Sequence, residues 1–371
     1  MKEIRTIIEA YKNTDLKKNN VALATVVRVE GSSYRRTGAR MLISDAGEWV
    51  GGISGGCLEG DALKKAKLAI AQRKPTLVTY DTTDDDPYQI GVGLGCNGII
   101  DVLLAPLNTQ DPNNQVLLLE KCLDARSPNI ILTVTHLSGK WDELSLGDAF
   151  RYESSAQLST IFHNHTFRTT LIEDIETCFK TQKSETKVYP TLEGTVQFFI
   201  EFIPPALHLV LHGGNYDIYP MVKLAKEVGW KVSVVCNPLK VHKSLFSMAD
   251  AVIEKDKSSE IELDNYTVAL LMAHDYNTDF DNLKYYLNTT IPYIGMLGPK
   301  KRTDKMFTKL AEDGNPVSVE NLERIATPVG LDIGASTPEE IAISIIAEIK
   351  TFYTGRNGQR LTFRKGAIYE E

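Results

Sequence analysis

The order of apolar and polar residues divides the chain into recognisable elements. Ile4, Ile7, Ile8 and Tyr11 recur at helical spacing within residues 1–18, and the run VALATVVRV (21–29) is apolar and β-branched, as a buried strand is. ARMLIS (39–44) and EWVGGIS (48–54) read as two further strands turning at Asp45-Ala46-Gly47. Past Gly56 the period changes. Leu58, Ala62, Ala66, Ala69 and Ile70 line one face of a helix that Pro75 terminates, and TLVTYD (76–81) is the next strand. Residues 81–98 are too rich in glycine and aspartate for regular structure and lead into the strand IIDVLLAPL. From 108 to 203 the pattern predicts a helix at 115–125, strands around NIILTVTH, a turn in WDELSLGD, a helix near 170–182 and the strand TVQFFIEFI.

Pro204-Pro205 marks the boundary, because consecutive prolines do not sit inside a central strand or helix. Beyond it strands and helices alternate: LHLVLHGG, YDIYPMVKLAKEVG, WKVSVVCN, TVALLMAHD and IPYIGML. The alternation predicts a Rossmann-like, doubly wound parallel sheet over 206–371, following a mixed α/β domain over 1–203. The last helix is the best signalled, with Thr337 as cap, Pro338 at the first position, Glu340 completing a capping box and Gly355 as the stop.

Length and charge narrow the class. A chain of 371 residues exceeds the size at which one core stops growing, so two domains are expected. Its formal charge of -7 argues against a nucleic-acid or anionic-membrane partner, and no 18-residue uncharged apolar run predicts a membrane span. The N-terminus has no apolar core of signal-peptide length, so a cytoplasmic protein is expected. Five cysteines without CxxC spacing suggest free thiols, not a disulfide framework or zinc ribbon.

Four stretches carry candidate chemistry. GGISGGCLEG (51–60) places Cys57 where a helix starting near Gly56 would aim free amides and the positive dipole end at its sulfur, lowering its pKa. Gly51, Gly52, Gly55 and Gly56 lack a Cβ, so an anion can approach the backbone there. Cys57 then reads as a nucleophile or soft-metal ligand, or else as a small buried hydrophobe. Cys96, beside Gly95 in GVGLGCNG, raises the same pair of readings. GSSYRRTGAR (31–40) sets Ser32 and Ser33 beside Arg35, Arg36 and Arg40, either a phosphate or carboxylate contact or a solvated hairpin loop. In LVLHGGNYDIYP, Gly213 and Gly214 follow a strand as in a dinucleotide turn. The G-x-G-x-x-G fingerprint is incomplete, and Asn237 stands where the ribose-binding acid belongs, so NAD(P) is not expected. His212 and His274 sit at predicted strand ends where such sheets bind ligands. DTTDDDP (81–87), with Asp84, Asp85 and Asp86, reads as a metal-binding carboxylate cluster or as a solvated loop ahead of Pro87, the second being expected, and the His163/His165 pair has no third ligand that can be named, so no metal site is assigned.

Together GSSYRRTGARMLI, GGISGGCLE, GLGCNGIIDV, YIGMLGPKKR and PVGLDIGASTPEEIAISIIAEI resemble the xanthine dehydrogenase accessory factors, the XdhC/CoxI family, over about residues 20–105 and 207–350. The resemblance implies a molybdenum-cofactor chaperone. Such a protein holds molybdopterin as cargo while a cysteine desulfurase supplies its terminal sulfido ligand, then delivers it to a xanthine dehydrogenase-type apoenzyme, usually as a homodimer. It also implies Cys57 and Cys96 as thiols near the cofactor, flanked by Gly55, Gly56 and Gly95, with Ser32, Ser33, Arg35 and Arg40 as phosphate or pterin contacts. The expected role is accessory, not catalytic. The competing expectations are an NAD(P)-dependent oxidoreductase using the second domain, with a nucleotide site at His212, Gly213, Gly214 and Asn237, and a nucleotidyltransferase-like or sulfur-transfer enzyme carrying a persulfide on Cys57.

Overall fold

A computed structural model describes residues 1–83, 98–162, 166–192, 194–366 and 368. Cys96, Gly95, His163, His165 and Asp84 to Asp86 lie outside the described residues. The chain forms two compact units that divide between Pro205 and Ala206.

The first unit runs α1 (Lys2–Asn13), β1 (Val21–Gly31), β2 (Arg40–Ser44), β3 (Trp49–Gly51), α2 (Glu59–Gln72), β4 (Thr76–Asp81), β5 (Gly98–Pro106) and α3 (Gln115–Asp124). It continues with β6 (Asn129–Gly139), β7 (Ala149–Arg151), α4 (Ser155–Ile161), α5 (Arg168–Thr181), β8 (Glu185–Pro190) and β9 (Gly194–Ile203). Its strands make two antiparallel sheets, ordered β3-β2-β1-β5-β4 and β7-β6-β9-β8. The alternation along β1 explains why both faces of the larger sheet are covered. Ala22, Ala24 and Val26 pack with Ala62, Ala66 and Ala69 of α2, whereas Val21 and Leu23 pack with Ile7, Ile8 and Tyr11 of α1 and with Val116 and Leu119 of α3. Small alanines on α2 let it lie close to the sheet, and this fixes the loop that precedes it.

Two local expectations are corrected. The strand predicted over 48–54 ends at Gly51, because the amides of Ile53 and Ser54 leave the ladder to bond Glu59. The helix predicted from Gly56 or Cys57 starts at Glu59, behind the same contact. Neither α4 nor β8 is signalled by the sequence pattern.

The second unit runs β10 (His208–His212), α6 (Ile218–Glu227), β11 (Lys231–Cys236), α7 (Leu245–Met248), β12 (Ala251–Glu254) and β13 (Thr267–Leu271). It ends with α8 (Tyr276–Leu287), β14 (Tyr293–Met296), α9 (Lys300–Glu312), α10 (Val319–Glu323), β15 (Ile325–Ala326) and α11 (Pro338–Thr354). Its six strands are all parallel in the order β12-β11-β10-β13-β14-β15. Counted from β10, this is the 3-2-1-4-5-6 order of a doubly wound dinucleotide-binding sheet. Leu209, Leu211, Val232 and Val234 face Met221 and Val222 of α6 and Ile345 of α11. Val210, Val235, Ala269 and Leu271 face Phe280 and Leu283 of α8 and Met306 of α9. Among the described residues no helix is long and apolar enough to cross a membrane.

Candidate functional site

In the first unit the two motif loops meet. The loop after β1 folds back so that Gly38 N donates to Val26 O at 2.8 Å, and the ring of Tyr34 lies 3.5 Å from where a Cβ on Gly55 would stand. Gly98, at the start of β5, is hemmed in by the same hairpin. A Cβ there would fall 2.5 Å from the carbonyl oxygens of both Glu30 and Ser32.

Within the 52–58 loop Ser54 is the hub. Its Oγ accepts from Gly56 N and Leu58 N, each at 3.1 Å, and from the Cys57 thiol at 3.4 Å, while its own proton goes to Glu59 Oε2. Glu59 Oε1 accepts from Ile53 N at 3.1 Å and Ser54 N at 2.7 Å. Burial opposes ionisation of Glu59, but the Ser54 hydroxyl and the backbone amides outweigh it and hold the carboxyl below the ordinary range. The amides next to Cys57, of Gly56 and Leu58, therefore go to Ser54 Oγ and those of Ile53 and Ser54 to Glu59, not to the Cys57 sulfur as the sequence reading expects, and this corrects it. Glu59 was missed there. Its signal was an acid in the first turn of an apolar helix, next to a glycine loop with orphan donors.

The sulfur itself is neither sealed nor free. Cys57 is half-buried at the edge of the α2 core, and the neighbouring Gly56, at φ +112°, has open space where a side chain would be. Cys122, Cys178 and Cys236 are buried, and burial pushes the first two thiols up to about 11 and about 12. Cys57 is the only cysteine among the described residues that is not buried.

The cationic loop is divided. Ser32 is exposed and Ser33 buried. Arg35 pairs with Glu3 of α1, and Arg40 is buried against Glu201 of β9, with a second bond from its Nη1 to Gly38 O at 2.7 Å. Arg40 thus joins the two sheets of the first unit, and its burial removes it from the expected ligand contacts. Among the described residues no group of three metal-ligating side chains comes together.

In the second unit the switch point between β10 and β13 opens into a cavity of about 500 Å³. His212, Gly213, Gly214 and Asn237, singled out from the sequence, all line it, with Lys240, Lys255, Thr278 and Asn282. Gly213 is required for this geometry, since a Cβ would stand 2.7 Å from Met272 O. His212 is buried, with Nε2 2.7 Å from Tyr286 Oη; burial, helped by the charge of Lys255, lowers its pKa to about 3. His274 lies just past β13 in a left-handed backbone conformation, with Nε2 2.6 Å from Asp217 Oδ2 at the start of α6.

Comparison with known proteins matches these features to one group. Residues 16–81 match the model of the XdhC and CoxI family, and residues 209–349 match the XdhC Rossmann domain. A Bacillus subtilis (strain 168) protein, named as a probable xanthine dehydrogenase subunit, is 31% identical over 338 residues, covering 90% of this chain and 93% of that protein. The Escherichia coli (strain K12) molybdenum cofactor insertion chaperone PaoD is 24% identical over 345 residues, covering 93% and 87%. A crystal structure from Bacillus halodurans, described as a xanthine dehydrogenase, superposes with a TM-score of 0.72 at 28% identity, covering 96% of this chain and 97% of that one. With both motif loops in the first matched segment, the switch-point crevice in the second and a relative of this identity along most of its length, the chain belongs to the XdhC and CoxI family.

Proposed function

We propose that this chain is a molybdenum-cofactor chaperone. It binds the molybdopterin-type cofactor as cargo, holds it while a cysteine desulfurase supplies the terminal sulfido ligand, and passes it to a xanthine dehydrogenase-type apoenzyme. It acts in the cytoplasm as a homodimer and is not itself a catalyst. The observation that carries this reading is the half-buried thiol of Cys57 beside the open backbone at Gly56, in a chain that aligns across both units with a molybdenum cofactor insertion chaperone.

The chemistry fits a carrier. A molybdenum–dithiolene centre is soft and oxidisable, so a thiol suits it better than a carboxylate does. Cys57 supplies that contact, with Cys96 as a second thiol from the loop 91–98. Gly55 and Gly56 keep the backbone clear, and the exposed Ser32, with Ser33 and Arg35 beside it, offers polar contacts. The Ser54–Glu59 network holds the loop without a ligand, so the site is pre-formed and release does not require refolding.

Delivery tests the whole reading. Cofactor-free xanthine dehydrogenase-type apoenzyme is mixed with released molybdenum cofactor, with and without an equimolar amount of this chain. The expected result is a severalfold gain in recovered activity. Equal recovery in both mixtures overturns the assignment.

A further inference from the structure

The switch-point crevice of the second unit has a charge pattern that the cofactor reading does not use. Among the described residues no carboxylate lines it, in a chain whose formal charge is -7. Lys240 and Lys255 both line it, and among the described residues neither forms an ion pair. Lys255 reaches from the end of β12 to α8, its Nζ 3.3 Å from Thr278 Oγ1. At the same wall Asn282 Nδ2 is buried without a hydrogen-bond partner. An orphan donor of this kind is destabilising unless a ligand satisfies it. The turn after β11 is fixed by Asn237, whose Oδ1 accepts from Leu239 N at 3.0 Å, and it leaves Leu239 exposed.

The usual place for a dinucleotide pyrophosphate, the N-terminus of the helix after the first strand, is taken. Asp217 starts α6, its Oδ2 bonded to His274 and its Oδ1 buried without a partner. A carboxylate there repels a pyrophosphate. The positive charge that makes no ion pair lies instead on the β11 and β12 side, with Asp275 at the cap of α8 within electrostatic reach of Lys255. A phosphomonoester offers nearly two negative charges and three acceptor oxygens, matching two ammonium groups and one amide in number.

We propose that this crevice binds a small phosphomonoester of mononucleotide size, held by Lys240, Lys255 and Asn282, and that it does not take a dinucleotide along α6. The inference stands on the crevice alone and does not depend on the chaperone reading. Its ligand chemistry is shared by a free nucleotide and by the phosphate of a pterin cargo.

Calorimetry on the full chain tests it with 5′-AMP and 5′-CMP as monoesters, adenosine and cytidine as uncharged controls, and NAD as a dinucleotide without a monoester. The nucleotides are expected to bind at least roughly tenfold tighter than the nucleosides or NAD. Lys240→Ala and Lys255→Ala should each weaken them roughly tenfold, the loss of one charge-assisted contact. Both lysines are exposed, so folding is not at stake, and Lys243→Ala, outside the lining, should bind as the parent does. Equal affinity for nucleotide and nucleoside, NAD as tight as 5′-AMP, or lysine variants that bind like the parent would each overturn the proposal. Repeating the 5′-CMP titration on cofactor-loaded chain separates the sources. Displacement of the cofactor places the pterin phosphate in the crevice, and unchanged 5′-CMP affinity assigns the crevice to a free nucleotide.

Discussion

Glu201→Ala is expected to destabilise the first unit by about 3–5 kcal/mol. Arg40 and Glu201 are both almost fully buried, so removing the carboxylate leaves a guanidinium in the interior with only the Gly38 carbonyl for company. Arg40 Nε already lacks a partner. The pair also joins β2 of the larger sheet to β9 of the smaller, and so the loss should reach the motif loop that precedes β2. Urea unfolding followed by the two tryptophans of this unit, Trp49 and Trp141, measures it. The double variant Arg40→Met/Glu201→Leu should recover most of the loss, because it leaves no unpaired charge. If Glu201→Ala unfolds within about 1 kcal/mol of the parent, as an exposed pair would, the pair does not hold the sheets.

The second large effect is a pH dependence in the Rossmann-like unit. His212 titrates near 3 in the folded chain because burial, aided by Lys255, disfavours its charge, whereas an unfolded histidine titrates near 6.5. The folded value is the lower one, so the unfolded state binds an extra proton between these limits. The stabilising contribution is complete above pH 6.5 and drains away as pH falls toward 3, the loss reaching roughly 5 kcal/mol at the acid limit. Carboxylates titrate in the same range, so the comparison that isolates His212 is with His212→Gln, which keeps a polar partner for Tyr286. With Trp230 as reporter in a Trp49→Phe/Trp141→Phe background, the parent should lose stability faster than the variant from pH 6.5 downward. Parallel curves would mean that the histidine is not held neutral by its burial.

Much of this architecture was legible because several signals agreed at each element. Thr337, Pro338, Glu340 and Gly355 delimit α11 as expected, down to a capping box with Glu340 Oε2 accepting from Thr337 N at 3.0 Å. The alanine face of α2 and the parallel order of the second sheet follow from periodicity and alternation. What escaped was set by tertiary contact. The edge strand β8 is half exposed, carries Lys187 and ends in Pro190, so it lacks the apolar run that marks a strand. The start of α2 moved because Glu59 reaches back to two amides. The arginine cluster reads equally as an anion contact or a solvated hairpin because the carboxylate partners of Arg35 and Arg40, Glu3 and Glu201, come from distant elements. The crevice was half visible: its glycines stand in the first strand-turn motif and Asn237 at the end of the next strand. Lys255 and Asn282 come from later elements that only the sheet order brings to the same mouth.

The most direct measurement is the molybdenum content of the chain after incubation with the cofactor and gel filtration, for the parent and for Cys57→Ala. The parent should elute with close to one molybdenum per chain. The variant, with unchanged thermal unfolding, should retain it at least roughly tenfold more weakly. A parent that elutes without molybdenum, or a variant that retains it equally, would contradict a carrier built around the Cys57 loop.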